Sequence, residues 1–128
     1  MTGTRRRILL LDDNEALRVA TAIFLRQQGL HVEEAADLAE ADWRVRSGSF
    51  DALVLDRDID GIDSVGLLRR WRRDGIATPA MFVTAMTSHE EHADGLRSGA
   101  EDYLLKPFTL AELDRRIGFL VEEHSPHS

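Results

Sequence analysis

Four short, unbroken apolar runs constrain this chain more than any other feature: residues 8–11 (Ile-Leu-Leu-Leu), 52–55 (Ala-Leu-Val-Leu), 80–83 (Ala-Met-Phe-Val) and 103–105 (Tyr-Leu-Leu). They are continuous rather than alternating, the pattern of strands covered on both faces of a parallel sheet. Residues 31–36 form a weaker candidate, with Val32, Ala35 and Ala36 as its apolar members, and read as a less buried strand. Between the runs, apolar residues recur at helical spacing. Leu17, Ala20, Ile23 and Phe24 mark one face within 14–28, and Leu38, Ala41 and Val45 mark one within 38–46. Val65, Leu68 and Trp71 do the same within 63–73, as do Leu110, Leu113, Ile117 and Leu120 within 109–123. Gly29, Gly48, Gly75 and Gly99 each close a helical stretch ahead of a strand, where a left-handed C-cap belongs. Pro79 opens the fourth strand, where it costs no ladder bond. Strand and helix alternate five times with short connections. The fold class predicted is α/β: a single doubly wound (βα)5 domain, five parallel strands with helices on both faces and right-handed crossovers.

Composition fits one such domain. The 128 residues suffice to bury a core without staples. The absence of cysteine excludes a disulfide scaffold, a thiolate zinc site and a cysteine nucleophile. A net charge of −7 argues against a general binder of nucleic acid or anionic membrane. Arg5, Arg6 and Arg7 precede an apolar run too short for a signal peptide, and no run approaches the roughly 18 residues of a membrane span. A cytoplasmic location is expected. The domain is expected to occupy residues 1–123, with 124–128 as a frayed tail.

In an open α/β sheet, ligands bind outside the carboxyl ends of the strands. Asp12 and Asp13 follow the first strand, Asp56 the third, Thr84 the fourth, and Lys106-Pro107 the fifth; Asp58 and Asp60 follow shortly after Asp56. Taken singly, each has an ordinary explanation. Asp12, Asp13 or Asn14 can cap the next helix, Asp56 can open a turn, and Lys106 can be a solvated charge. Their joint placement on one rim is harder to explain that way. Asp12, Asp13 and Asp56 against Lys106 leave two negative charges uncompensated, a deficit that one hard divalent cation can neutralise. Mg2+ commonly takes one or two carboxylates and keeps several waters.

The pieces Ile-Leu-Leu-Leu-Asp-Asp-Asn over 8–14, Ala-Leu-Val-Leu-Asp over 52–56, Met-Phe-Val-Thr-Ala over 81–85 and Gly-Ala-Glu-Asp-Tyr-Leu-Leu-Lys-Pro-Phe over 99–108 resemble the receiver domain of two-component response regulators. The likeness runs over nearly the whole chain. It implies a flavodoxin-like sheet of strand order 2-1-3-4-5 and a phosphoacceptor role for Asp56, loaded from a sensor histidine kinase or a histidine phosphotransfer protein. Mg2+ would be held by Asp13, Asp56 and the backbone carbonyl of Asp58, with Asp12 acting mainly through a bound water. Lys106 and Thr84 would contact the phosphoryl oxygens. Tyr103 would be the switch aromatic, turning inward as Thr84 moves, with Ala85 small enough to leave room. Lys106-Pro107 would carry a cis peptide bond. The fourth helix, fifth strand and fifth helix would form the surface that switches for a downstream effector or output domain.

Two positions depart from the family pattern: Asp60 and Ser64 stand where proline and glycine are usual, leaving Gly61 to supply conformational freedom. The last helix resembles that of receivers joined to winged-helix DNA-binding domains, and Asp102, Glu112 and Arg116 fit a homodimer through the fourth helix, fifth strand and fifth helix. Glu122, Glu123, His92 and Ser98 do not fit it. The basic run Arg69-Arg70-Trp71-Arg72-Arg73 reads as a solvated helix end, with cations favoured at a helix C-terminus and Trp71 on the apolar stripe, rather than as a nucleic-acid site. His89 and His92 read as exposed histidines without a third ligand. Two alternatives remain: a receiver-like interaction module that works without phosphate, and a phosphatase of the haloacid dehalogenase type. The latter places its Asp-x-Asp on the first strand, whereas Asp56-Arg57-Asp58 follows the third.

Overall fold

The apolar runs do become strands, and their alternate side chains build two cores. The computed structural model describes residues 5–85 and 88–123, so the tail expected at 124–128 lies outside the described residues. Its elements run β1 (Arg7–Leu11), α1 (Glu15–Gln27), β2 (His31–Ala35), α2 (Leu38–Ser47), β3 (Ala52–Asp56), β4 (Asp58–Ile59), β5 (Ile62–Asp63), α3 (Val65–Arg73), β6 (Ala80–Thr84), α4 (His89–Arg97), β7 (Asp102–Leu105) and α5 (Leu110–Glu123). The central sheet has the order β2-β1-β3-β6-β7, all parallel. This is the expected 2-1-3-4-5 order once β4 and β5 are counted. Those two form a separate antiparallel hairpin that the periodicity does not announce.

Side chains of period two explain why continuous apolar strands are needed. Leu9, Leu11, Leu53, Leu55, Ala80 and Phe82 meet α2 and α3, where Ala41, Val45, Leu68 and Trp71 are buried. Ile8, Leu10, Ala52, Val54, Met81 and Val83 point the other way and meet Ala22 and Leu25 of α1 and Leu113, Ile117 and Leu120 of α5. Each apolar residue of a central strand thus has a helix to cover it. The two edge strands are less enclosed: β2 buries only Val32 and Ala35, and β7 only Leu104.

Two local expectations fail. Helix α1 buries Thr21, Ala22 and Leu25; of the expected row only Phe24 packs against the core, while Leu17, Ala20 and Ile23 are exposed, Ile23 by 50%. Apolar residues occupy most of this helix's circumference, so spacing alone does not choose the inward side. The observed rotation packs Ala22 and Leu25, with Phe24 beside them, into the core, and it lets Arg18 donate to the Asp12 carbonyl at 2.9 Å and to Glu34 at 3.1 Å. Gly29, Gly75 and Gly99 adopt positive φ, but Gly48 does not; α2 ends there in extended backbone. A Cβ at Gly48 would crowd the Arg44 carbonyl and the Phe50 ring, so close packing rather than backbone handedness suits glycine there.

Candidate functional site

Parallel strands deliver their carboxyl ends to one rim, and the predicted residues meet there. Asp12, Asp13, Asp56, Asp58, Thr84, Ala85 and Lys106 line one open cleft, joined by Asn14, Leu17 and Glu91. Of the candidate helix caps, Asn14 fills the role, its side chain accepting from the Leu17 N–H at 3.1 Å. Asp12 and Asp13 are therefore not needed as caps. Carboxylate oxygens of Asp12, Asp13 and Asp56 lie within 4.8 Å of one another. Such a cluster of hard oxygen donors can bind a metal ion.

Asp56 is only 7% exposed. Its Oδ2 accepts from Lys106 Nζ at 3.1 Å and its Oδ1 from the Asp58 N–H at 3.1 Å. Burial pushes the Asp56 carboxyl above its ordinary range, against the pull of Lys106 and the Asp58 N–H, and the charge of Asp12 adds to the push. Thr84 is buried at the end of β6, and its carbonyl accepts the Lys106 N–H at 2.8 Å. The Lys106–Pro107 peptide bond is cis.

The hairpin explains one departure from the family pattern, and a buried hydroxyl bond explains the other. Its turn residues, Asp60 at φ 51° and Gly61 at φ 81°, have the paired positive φ of the two-residue turn that favours Asp-Gly. Proline, locked near φ −65°, cannot stand at Asp60. Nor could proline supply the Asp60 N–H, which donates to Asp13 Oδ2 at 2.8 Å. Asp58 turns its Oδ1 to the Gly61 N–H at 3.0 Å, so its side chain is occupied by the turn. Ser64, fully buried, donates its hydroxyl to the Asp56 carbonyl at 2.7 Å and anchors the backbone of that residue.

Next to Asp56, the buried Arg57 forms an ion pair with Asp63 that sequence reasoning does not single out. Arg57 is 1% exposed. Its Nε and Nη2 hold both Asp63 oxygens, at 3.0 and 2.6 Å. Its Nη1 donates to the Tyr103 hydroxyl at 2.6 Å and to the Glu91 carbonyl. The Asp63 bond first, and the Tyr103 bond with it, raise the affinity of the guanidinium for its proton despite burial. Tyr103 thus sits behind the cleft, between Arg57 and α4, rather than on the rim. The one available sequence signal was Asp60-Gly61 between Ile59 and Ile62, a hairpin signature that sets Asp63 opposite Asp58.

The remaining candidates are absorbed by the fold. Trp71 is buried and donates to Asp42 at 2.8 Å; Arg72 binds the Gly99 carbonyl and Glu101. Asp102 pairs with Arg116 at 3.0 Å within the chain, and Arg116 lies 3.8 Å from Glu112. His89 is exposed as expected, whereas His92 is half-buried with its ring centroid 4.5 Å from that of Tyr103. Among the described residues no helix is long and apolar enough to cross a membrane.

A parallel five-stranded sheet with an acidic, cation-ready pocket at its carboxyl rim defines a receiver-type α/β domain. Comparison with known proteins agrees: the family of the response regulator receiver domain matches residues 8–118, and the chain belongs to that family. It is similar to the transcriptional regulatory protein TrcR of Mycobacterium tuberculosis, 39% identical over 96% of this chain and 48% of TrcR. It is 31% identical to the transcriptional regulatory protein PhoP of Escherichia coli, over 93% of this chain and 53% of PhoP. The chain therefore spans about half the length of the relatives it matches. Among solved structures, the receiver domain of the Francisella response regulator 1452 superposes with a TM-score of 0.88 at 29% identity, covering 93% of this chain and 98% of that one.

Proposed function

We propose that the domain, over residues 1–123, accepts a phosphoryl group on Asp56 from a phosphohistidine of a sensor kinase or phosphotransfer protein. The observation that carries this is the setting of Asp56: nearly buried, bonded to Lys106, and grouped with Asp12 and Asp13 within 4.8 Å. Those carboxylates, with the Asp58 carbonyl, are the donors that would hold Mg2+. Bound there, Mg2+ would offset the charge of the phosphoryl oxygens. The chain's own part is positioning, which dominates phosphoryl transfer. An Asp56 oxygen attacks phosphorus as the phosphorus–nitrogen bond breaks, and the electron pair returns to the imidazole, which takes up a proton. The Lys106 ammonium and the Thr84 hydroxyl donate to the phosphoryl oxygens, and the Ser64 hydroxyl keeps the Asp56 backbone from shifting. Thr84, Ala85 and Tyr103 then carry the change to α4, β7 and α5, the face read by an output domain or effector, or by a second copy of the chain. The exposed Leu96 and Phe119 on α4 and α5 suit that use.

Incubating the protein with acetyl phosphate and Mg2+ should add one phosphoryl mass to the intact chain, and Asp56→Asn should add none. An equal gain in the variant overturns the assignment; no gain in either protein leaves a receiver-fold module that works without phosphate.

A further inference from the structure

Arg57 occupies a place where charged side chains rarely stand. Ionised arginine is almost never fully buried unless paired, and here it is 1% exposed beside the residue that ends β3. Its pairing joins two parts of the molecule. On one side Asp63 of the hairpin grips it with both carboxylate oxygens. On the other, its Nη1 binds the Tyr103 hydroxyl of β7 and the Glu91 carbonyl of α4. The guanidinium carbon lies 5.7 Å from the Phe82 ring centroid and 6.0 Å from that of Tyr103. A Cβ at Gly95 would overlap Tyr103 Cε2, so glycine lets the α4 backbone close on the ring edge.

We propose that Arg57 is a positioning residue: anchored by Asp63, it holds the Tyr103 ring inward against α4 whether or not Asp56 carries a phosphoryl group. The inference rests on the reading of Asp56 as phosphoacceptor, and it replaces the Tyr103 step of that reading with a fixed ring. The hairpin touches both ends of that route, since the Asp58 N–H binds Asp56 and Asp63 binds Arg57. Phosphorylation then acts on the face of α4 and β7 through the hairpin and Thr84, not through entry of the ring.

Tyr103 is the chain's single tyrosine, so fluorotyrosine labelling gives one assigned fluorine resonance. In the wild type that resonance should show the small solvent isotope shift of a shielded ring, and beryllofluoride with Mg2+ should move it little. In Arg57→Gln it should take the shift of an exposed ring. Arg57→Lys, which keeps the charge without the two-pronged bond, should fall between. Asp63→Asn, altering a side chain 44% exposed, disturbs folding less and should broaden the resonance. A shielded, unmoved resonance in both Arg57→Gln and Asp63→Asn overturns the proposal, as does a wild-type ring exposed until beryllofluoride is added. The beryllofluoride fluorines report separately on Asp56. If their bound signal is missing, the phosphoacceptor reading fails, while the comparison without beryllofluoride still decides the role of Arg57.

Discussion

At the scale of single residues, the Asp63–Arg57 pair shows how a partly exposed carboxylate compensates the charge of a buried cation. Burial of Asp63 works against its charge, but the Arg57 bonds and the Val65 N–H outweigh it and hold the carboxyl below its ordinary range. The sign of the pH dependence follows. The unfolded carboxyl, near its ordinary value of about 3.9, binds protons more readily than the folded one. The pair's contribution is therefore complete above that value and is lost as pH falls through the folded value. Asp63→Asn should be less stable than wild type by about 1–3 kcal/mol at neutral pH, the usual cost of an unmade bond to a buried donor. Denaturant unfolding from pH 7 down to pH 3 should show the gap between the two proteins closing at the acid end. A constant gap would mean that the carboxylate charge is not what Arg57 needs. Arg57 itself was not legible beforehand: its burial depends on Tyr103, 46 residues away.

Among the elements, legibility depended on how much of the physics was local. The central strands β1, β3 and β6 could be read because burial on both faces demands unbroken apolar runs, a demand visible within five residues. The inward face of α1 could not, because Ala16, Leu17, Val19 and Ile23 are as apolar as the residues that are buried, and contacts outside the helix decide. The cleft residues were legible because parallel topology sends strand ends to a common rim. The hairpin lies between these cases. Its Asp-Gly turn was in view, but the reason for Asp60 in place of proline came only with the turn's positive φ values, and that for Ser64 in place of glycine with its hydroxyl bond to the Asp56 carbonyl. Gly61→Ala places a Cβ at φ 81° and should cost about 1–2 kcal/mol, the penalty of a left-handed conformation for a residue with a side chain. Asp60→Pro, which restores the family's usual residue, should do more harm. It forbids φ 51° and removes the N–H that Asp13 accepts. Thermal unfolding of both variants tests the order. An Asp60→Pro variant as stable as wild type would show that the hairpin is not needed to hold Asp13.

For the whole molecule, the acid excess has one concentrated consequence. Three carboxylates gathered within 4.8 Å repel one another, and Lys106 is bonded to only one of them. Folding brings them together, so the folded chain carries a strain that the unfolded chain, with its acids dispersed, does not. A cation that binds only the folded site should stabilise the protein by RT ln(1 + [L]/Kd), about 2.7 kcal/mol at a hundredfold excess over Kd. For a chain of this size, with roughly 4 °C of Tm per kcal/mol, that is about 10 °C. Asp13→Asn should behave oppositely in two conditions. Without Mg2+ it relieves repulsion and should match or exceed the wild-type Tm; with Mg2+ it loses a donor and should gain little. Asp102→Asn, which breaks an ion pair far from the cluster, should keep the full Mg2+-dependent gain from a slightly lower starting Tm. Calorimetric scans of the three proteins across a Mg2+ series separate site binding from general screening. Screening would raise all three alike, whereas a site built from Asp12, Asp13 and Asp56 leaves Asp13→Asn behind.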